Sequence, residues 1–353
     1  MTERRFRRGL VVGKFSPLHR GHELVIDRAL ALCDEVVVIS YSKPELPGCA
    51  PDRRARWLAA RFPQTRRLVV TDAALAAHRG SPELDEVPSN DADPATHRRF
   101  VAHLCRCILG VEIDAVFTSE DYGDGFATML EAEQRRHRHN APAVTHICVD
   151  RARQTVPVSA TTIRADVHAQ RRWLSPEVHA SFVKRVCILG GESSGKSMLA
   201  ERLAMALETV HVAEYGRELW ERQQGVLAFD DLLAIGERQV ALEDEAALVA
   251  SEFLICDTSP LTTLFYSRHL FDRADPALER LATARTYDLS VLCAPDFPFV
   301  QDGTRQNAAF RLRQHEWYVA QLAARGDVWM LAEGAIDERV QAVRAFLTAR
   351  VTA

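Results

Sequence analysis

A chain of 353 residues is long enough for two ordinary domains or one large one. Apolar residues make up 47% and charged residues 26%, which excludes a disordered chain and permits a packed core. A formal charge of −4 and a pI near 6.4 argue against a nucleic-acid binder, and the basic run RRFRR at residues 4–8 reads as a solvated strand edge rather than a binding arm. Eight cysteines are scattered without CxxC pairs, and CRC at Cys105–Cys107 lacks a second half at metal-ligand spacing. Reduced, buried thiols in a cytoplasmic protein are expected. Neither a signal peptide nor a long apolar span is evident, so export and membrane insertion are not expected.

In chain order, LVVGKF, EVVVISY, RLVVTD, DAVFTSED and THICVD read as strands, separated by helices such as HELVIDRALAL and DRRARWLAARF. This alternation predicts a parallel, doubly wound sheet. Residues 78–94, rich in Pro, Asp and Ser, predict a surface loop. Between the first strand and first helix lies GKFSPLHRGH, residues 13–22. It places His19 and His22 at a helix start, where unpaired N–H groups and a positive macrodipole suit an anion. A metal would need a third ligand that the spacing does not supply. After the last strand of this half, VSATTIR gathers Ser159, Thr161 and Arg164 at another helix start, again an anion site.

The pattern restarts at RVCILGGESSGKSMLAERLAMAL, followed by strands in VHVAEYG, FLICDTS, LSVLCAP and DVWMLA. The boundary is expected in QRRWLSPEVHASFVKR, giving a first domain at 1–170, a linker at 171–183 and a second domain at 184–353. The fold class expected is α/β, two domains, each a mainly parallel sheet flanked by helices. Gly190 to Ser197, GGESSGKS, fits the phosphate-loop pattern G-x-x-x-x-G-K-S/T between an apolar strand and a helix. Gly190, Gly191, Glu192, Ser193, Ser194 and Gly195 form the cradle, Lys196 reaches the β- and γ-phosphates, and Ser197 can hold Mg²⁺. Asp257 ends a strand, where an acid that holds the metal belongs. Glu214, Tyr215 and Arg217 lie at another strand end, where open α/β sheets bind ligands. No guanine-reading N-K-x-D is present, which favours a kinase over a GTPase. A kinase acting on a hydroxyl needs a carboxylate to take the proton, and Glu214 and Asp257 are both candidates. Arg305, Arg311 and Arg313 fall in a polar segment suited to closing over ATP.

The first half has no carboxylate in its signature. That suits nucleotidyl transfer, in which the attacking phosphate is already ionised and the enzyme must supply positive charge and donors around the α-phosphate and the departing pyrophosphate. His19, His22, Lys14 and Arg164 are expected to supply them.

The first half resembles the HxGH nucleotidyltransferase superfamily, with its G-x-F/Y-x-P-x-H-x-G-H signature from Gly13 through Phe15 to His22 and a later S-x-T-x-x-R from Ser159 to Arg164. The second half resembles a P-loop ribosylnicotinamide kinase. Their order, with GESSGKS, EYGRE, DT and DGxR, resembles the bifunctional NadR-type family, a nicotinamide-mononucleotide adenylyltransferase fused to a nicotinamide riboside kinase. That resemblance implies ATP contacts from Gly13, Phe15, His19, His22, Ser159, Thr161 and Arg164. It implies Glu120 and Tyr122 near the same site, and Glu214, Arg217 and Asp257 near the riboside, with Tyr215 and Arg305 as further substrate contacts. It also implies ATP as co-substrate, Mg²⁺ as cofactor, small-molecule partners (ATP, nicotinamide riboside, its mononucleotide and NAD), and no nucleic acid or membrane partner; a homo-oligomer stays open.

Two departures stand out. Some relatives carry an N-terminal helix-turn-helix, and the dozen or so residues before Gly13 are too few for one, so a repressor role is not expected. An aromatic-rich stretch is expected around 84–100 for stacking on nicotinamide, yet only Phe100 is found there; Trp57 is a substitute, though it reads more strongly as a core helix residue. Two alternatives stay open: a coenzyme A synthase-like adenylyltransferase and kinase fusion, and a non-catalytic NAD or ATP sensor.

Overall fold

The computed structural model describes residues 5–77, 84, 86–120, 122–301 and 305–351. The chain divides into two units, Met1–Ser181 and Phe182–Ala353. In the first, β1 (Phe6–Gly13), α1 (Arg20–Leu32), β2 (Cys33–Ser40), α2 (Pro51–Arg61), β3 (Arg66–Val69) and α3 (Asp72–Ala76) precede α4 (Pro94–His103). Then follow β4 (Ala115–Thr118), α5 (Gly123–His137), β5 (Thr145–Cys148), α6 (Ala160–Ala165) and α7 (Pro176–His179). The sheet runs β3-β2-β1-β4-β5, every pair parallel. β2 and β3 lie on one side of β1, β4 and β5 on the other, so a crevice opens outside the carboxyl ends of β1 and β4.

β1 is therefore central, which corrects the expectation of a solvated strand edge at RRFRR. The Arg7 and Arg8 N–H groups donate to the Asp114 carboxylate at 2.9 and 2.7 Å, and Arg8 pairs with Glu35 at 2.7 Å; Arg4 lies outside the described residues. The loop expected at 78–94 falls partly outside them too. Its described end supplies Asp93, whose carboxylate caps α4 by accepting from the Ala95 and Thr96 N–H groups. In the stretch read as a linker, Leu174 and Val178 are buried. Ser181 receives the Trp57 indole N–H on its Oγ at 3.0 Å and Arg53 on its carbonyl at 2.9 Å. Trp57, considered for stacking on a pyridine, is thereby a core residue, 2% exposed.

The second unit contains β6 (Lys184–Gly190), α8 (Lys196–Ala206), β7 (His211–Val212), α9 (Tyr215–Arg222), α10 (Phe229–Ala247) and β8 (Phe253–Asp257). It continues with α11 (Pro260–Phe271), α12 (Pro276–Ala284), β9 (Leu289–Cys293), α13 (Ala308–Arg325), β10 (Trp329–Ala332) and α14 (Ile336–Val351). The order is β10-β9-β6-β8-β7, again all parallel. β8 and β9 are buried along their whole length, as apolar runs covered on both faces must be. Register sets Asp257, the last residue of β8, beside Ile188 of β6, close to the start of the phosphate loop. Among the described residues, no helix is long and apolar enough to cross a membrane.

Candidate active sites

From Gly13 the chain turns through Lys14–Leu18 into α1. His19 is the N-cap: its Nδ1 accepts the Gly21 N–H at 3.1 Å, which leaves Nε2 as the protonated nitrogen. A side chain at Gly21 would put its Cβ 2.9 Å from the His19 ring. The two imidazoles lie with centroids 3.8 Å apart, and Phe15 packs edge-on against His22 at 5.0 Å. His22 Nδ1 is buried without a partner among the described residues. Burial, with the Arg153 guanidinium, lowers His19 to about 4. Burial, His19 and Arg153 together hold His22 well below the ordinary imidazole value. Both are neutral at pH 7, which corrects the expectation that they bring positive charge: they can bring N–H donors, and charge falls to Lys14, Arg153 and Arg164.

Arg164 ties the two signatures together, donating to the Ser16 carbonyl at 2.6 Å and to Thr161 Oγ1 at 3.1 Å. Ser159 caps α6 by accepting the Thr162 N–H at 3.1 Å. Arg153 escaped the sequence reading because one more arginine after a strand is indistinguishable from a solvated charge; its guanidinium reaches Glu120 at 3.4 Å. A second missed residue is Arg54, wholly buried, which holds the Lys14 carbonyl at 3.2 Å and Ser40 Oγ at 3.0 Å while pairing with Glu45 at 2.6 Å.

Beside this loop lies a cavity of about 330 Å³ lined by Gly13, Lys14, Tyr41, His97, Tyr122 and Phe126, among others. Tyr41 lies nearly parallel to His97, ring centroids 5.7 Å apart, and its hydroxyl is 3.0 Å from His97 Nδ1. Rings therefore reach this cavity from the end of β2 (Tyr41), from α4 (His97) and from the start of α5 (Tyr122 and Phe126). Chain distance hid this grouping.

In the second unit the glycine-rich loop joins β6 to α8 in the order its motif demands. Ser193 and Gly195 have positive φ (58° and 82°), and a Cβ at Gly195 would lie 2.6 Å from the Phe297 ring. The loop's carbonyls face cations and a hydroxyl. Gly191 O accepts from Lys196 Nζ at 3.0 Å and Ser194 Oγ at 2.7 Å, Ser193 O from Arg311 at 3.4 Å, and Ser194 O from Arg339 at 2.9 Å. Carbonyls held this way leave loop N–H groups for an anion. Arg311, expected to close over a nucleotide, is instead buried and also holds the Phe297 carbonyl at 2.7 Å. Arg339, fully buried and braced on the Gly334 carbonyl at 2.9 Å, was hidden as one arginine in a C-terminal helix. Arg313 is exposed near the Phe310 ring, and Asp302 and Gly303 of DGxR lie outside the described residues.

Ser197 is exposed in the first turn of α8. Asp257 is 3% exposed, and its Oδ1 has no partner among the described residues. Glu214 immediately precedes α9 without a side-chain cap hydrogen bond; burial raises its pKa above the ordinary value, Lys196 opposing and Asp257 adding to the rise. A cavity of about 160 Å³ beside the loop is lined by Glu192, Glu214, Arg217, Trp220, Tyr266 and Arg305, among others. Tyr215 does not line it; its hydroxyl accepts from Arg222 at 3.0 Å.

A family model described as an AAA domain matches residues 185–339. The chain is 29% identical over 313 residues, 84% of its length and 71% of the relative's, to the trifunctional NAD biosynthesis/regulator protein NadR of Escherichia coli K12. It is 28% identical to the protein of the same name from Salmonella typhimurium LT2, over 84% of this chain and 71% of that one. Among solved structures, a NadR protein in complex with NR matches at TM-score 0.70 and 20% identity, covering 97% of this chain and 95% of that one. A NadR protein in complex with NAD and AMP-PNP matches at TM-score 0.68 and 19% identity, covering 98% and 96%. The structural likeness shows a shared two-unit fold, and the likeness in sequence spans most of the chain. The chain is thus similar to the NadR proteins over most of its length.

Proposed function

We propose that the chain carries out two consecutive ATP-dependent transfers: 5′-phosphorylation of nicotinamide riboside in the second unit, then adenylyl transfer from ATP to the mononucleotide in the first, giving NAD and pyrophosphate. One contrast carries the proposal. The two phosphate loops sit on separate sheets, and among the described residues a half-buried carboxylate, Glu214, lines the cavity beside the second, while none lines the cavity beside the first.

In the first unit the mononucleotide's ionised phosphate attacks the α-phosphorus of ATP, the bond to the β-phosphate oxygen breaks, and pyrophosphate leaves. No base is required. His19 and His22 donate N–H groups to the phosphates, while Lys14, Arg153 and Arg164 supply the charge that a five-coordinate phosphorus and its leaving group need. Tyr41, His97 and Tyr122 offer flat faces for the pyridine in the adjoining cavity.

In the second unit Glu214 takes the proton of the 5′-hydroxyl as that oxygen bonds to the γ-phosphorus and ADP departs. Glu214 is preferred to Asp257 because it lines the acceptor cavity and burial raises its proton affinity, as suits a base. Asp257, with its orphaned Oδ1, and the Ser197 hydroxyl form the oxygen donor set suited to Mg²⁺, which when bound neutralises charge on the β- and γ-phosphates. Lys196 holds those same phosphates. To test the assignment, ATP and Mg²⁺ are supplied with either nicotinamide riboside or dephospho-coenzyme A. ATP consumption with the riboside is expected. Turnover of dephospho-coenzyme A alone would favour the coenzyme A arrangement, and no turnover by folded protein would favour a sensor.

A further inference from the structure

Glu192 is the third residue of the phosphate loop, where a carboxylate facing the nucleotide would be repelled by it. Its side chain turns the other way. Oε1 accepts from the Tyr266 hydroxyl at 3.1 Å and Oε2 from the Gln306 N–H at 2.6 Å, and all three residues line the acceptor cavity. The Glu192 N–H is itself fixed by Gln314 Oε1 of α13 at 2.8 Å. Its neighbour Ser193 accepts on Oγ from the Val300 N–H at 3.0 Å and from Arg305 at 3.2 Å. Two consecutive loop side chains therefore hold walls of the cavity in which Glu214 sits.

We infer that Glu192 is a positioning residue that couples the phosphate loop to the acceptor cavity, so that ATP in the loop sets Tyr266 and Gln306 for the nucleoside. This rests on the second unit being a nucleoside kinase. A loop backbone that shifts around phosphates must carry Glu192 with it. Two hydrogen bonds on one carboxylate are charge-assisted and stronger than neutral ones, so the walls follow. Coupling of this kind is reciprocal: ATP tightens the riboside and the riboside tightens ATP by the same factor. Among the described residues the charged side chains that line the cavity balance, Glu192 and Glu214 against Arg217 and Arg305, so the role asked of Glu192 is geometric. A glutamine, which keeps an accepting oxygen, should retain part of it.

The test is calorimetric binding of nicotinamide riboside, with and without a nonhydrolysable ATP analogue, to the full chain and to Glu192→Ala, Glu192→Gln and Tyr266→Phe, alongside steady-state kinetics. Wild type should bind the riboside about fivefold or more tighter with the analogue present. Glu192→Ala should bring that ratio close to one and, because the coupling is reciprocal, raise the KM of each substrate measured at saturation of the other by about fivefold or more, while the affinity of the analogue for the riboside-free chain changes by no more than about threefold. Glu192→Gln should fall between. An unchanged ratio in Glu192→Ala, or an analogue affinity for the riboside-free chain that falls as much as the ratio does, overturns the inference. So does a wild-type ratio of one. Should Glu192→Ala fail to fold, Tyr266→Phe decides: it keeps the ring and loses the donor, so the ratio must fall, and a wild-type ratio overturns the proposal. A wild-type chain that neither binds nor phosphorylates the riboside would refute the kinase assignment itself, whatever the variants do.

Discussion

His19 and His22 are neutral because water is excluded from around them, and this has a consequence for stability. The folded His19 titrates at about 4 against an ordinary 6.5, so below 6.5 the unfolded chain binds a proton that the folded chain refuses. Stability supplied by this group is therefore full above pH 6.5 and declines as pH falls toward 4, by up to roughly 3 kcal/mol. Urea denaturation of the first unit between pH 4 and 7 should show the loss, and His19→Asn should flatten that slope. Activity depends on the same pair: His22→Ala should lower adenylyl transfer by roughly 100-fold or more, read as pyrophosphate release. Glu214 has the opposite shift. Its raised pKa should place the acidic limb of the phosphorylation pH profile above that of an ordinary glutamate, and Glu214→Gln should reduce phosphorylation roughly 100-fold or more.

At the scale of elements, the two phosphate loops share a device. Each has backbone carbonyls held by arginines: Arg54 on Lys14 and Arg164 on Ser16 in the first unit, Arg311 on Ser193 and Arg339 on Ser194 in the second. Fixing the acceptor side of a loop leaves its donor side preorganised, which lowers the cost of ordering it around phosphate. Arg339→Met should destabilise the second unit by about 2–4 kcal/mol and raise the kinase's ATP KM, while adenylyl transfer stays unchanged. Arg54→Met should do the converse, weakening adenylyl transfer alone. Both are checked by assaying each reaction separately. These braces also mark where legibility in the sequence ends. Strands such as FLICD and the Gly190–Ser197 loop are legible because their signal is local: an apolar run, or glycines before a lysine. Arg339 acts on a carbonyl 145 positions away and Arg54 on one 40 positions away, so nothing around either residue distinguishes it from surface charge. Tyr41 and His97 form a flat surface only once β2 and α4 are brought together. The protonation of the histidines was missed for the same reason, since burial belongs to the fold and not to the motif.

Across the whole molecule the claim is one of division: two sheets, two phosphate loops, and chemistry that needs a base in only one of them. Lys196 and His22 lie in separate units, so each can be removed without touching the other's site. The most direct measurement is mass spectrometry of products from folded Lys196→Ala and His22→Ala proteins given ATP and Mg²⁺ with either nicotinamide riboside or its mononucleotide. Lys196→Ala should leave the riboside unchanged yet convert the mononucleotide to NAD, and His22→Ala should accumulate the mononucleotide from the riboside and make no dinucleotide. Loss of both conversions from either single substitution, in protein that remains folded, would contradict two independent sites.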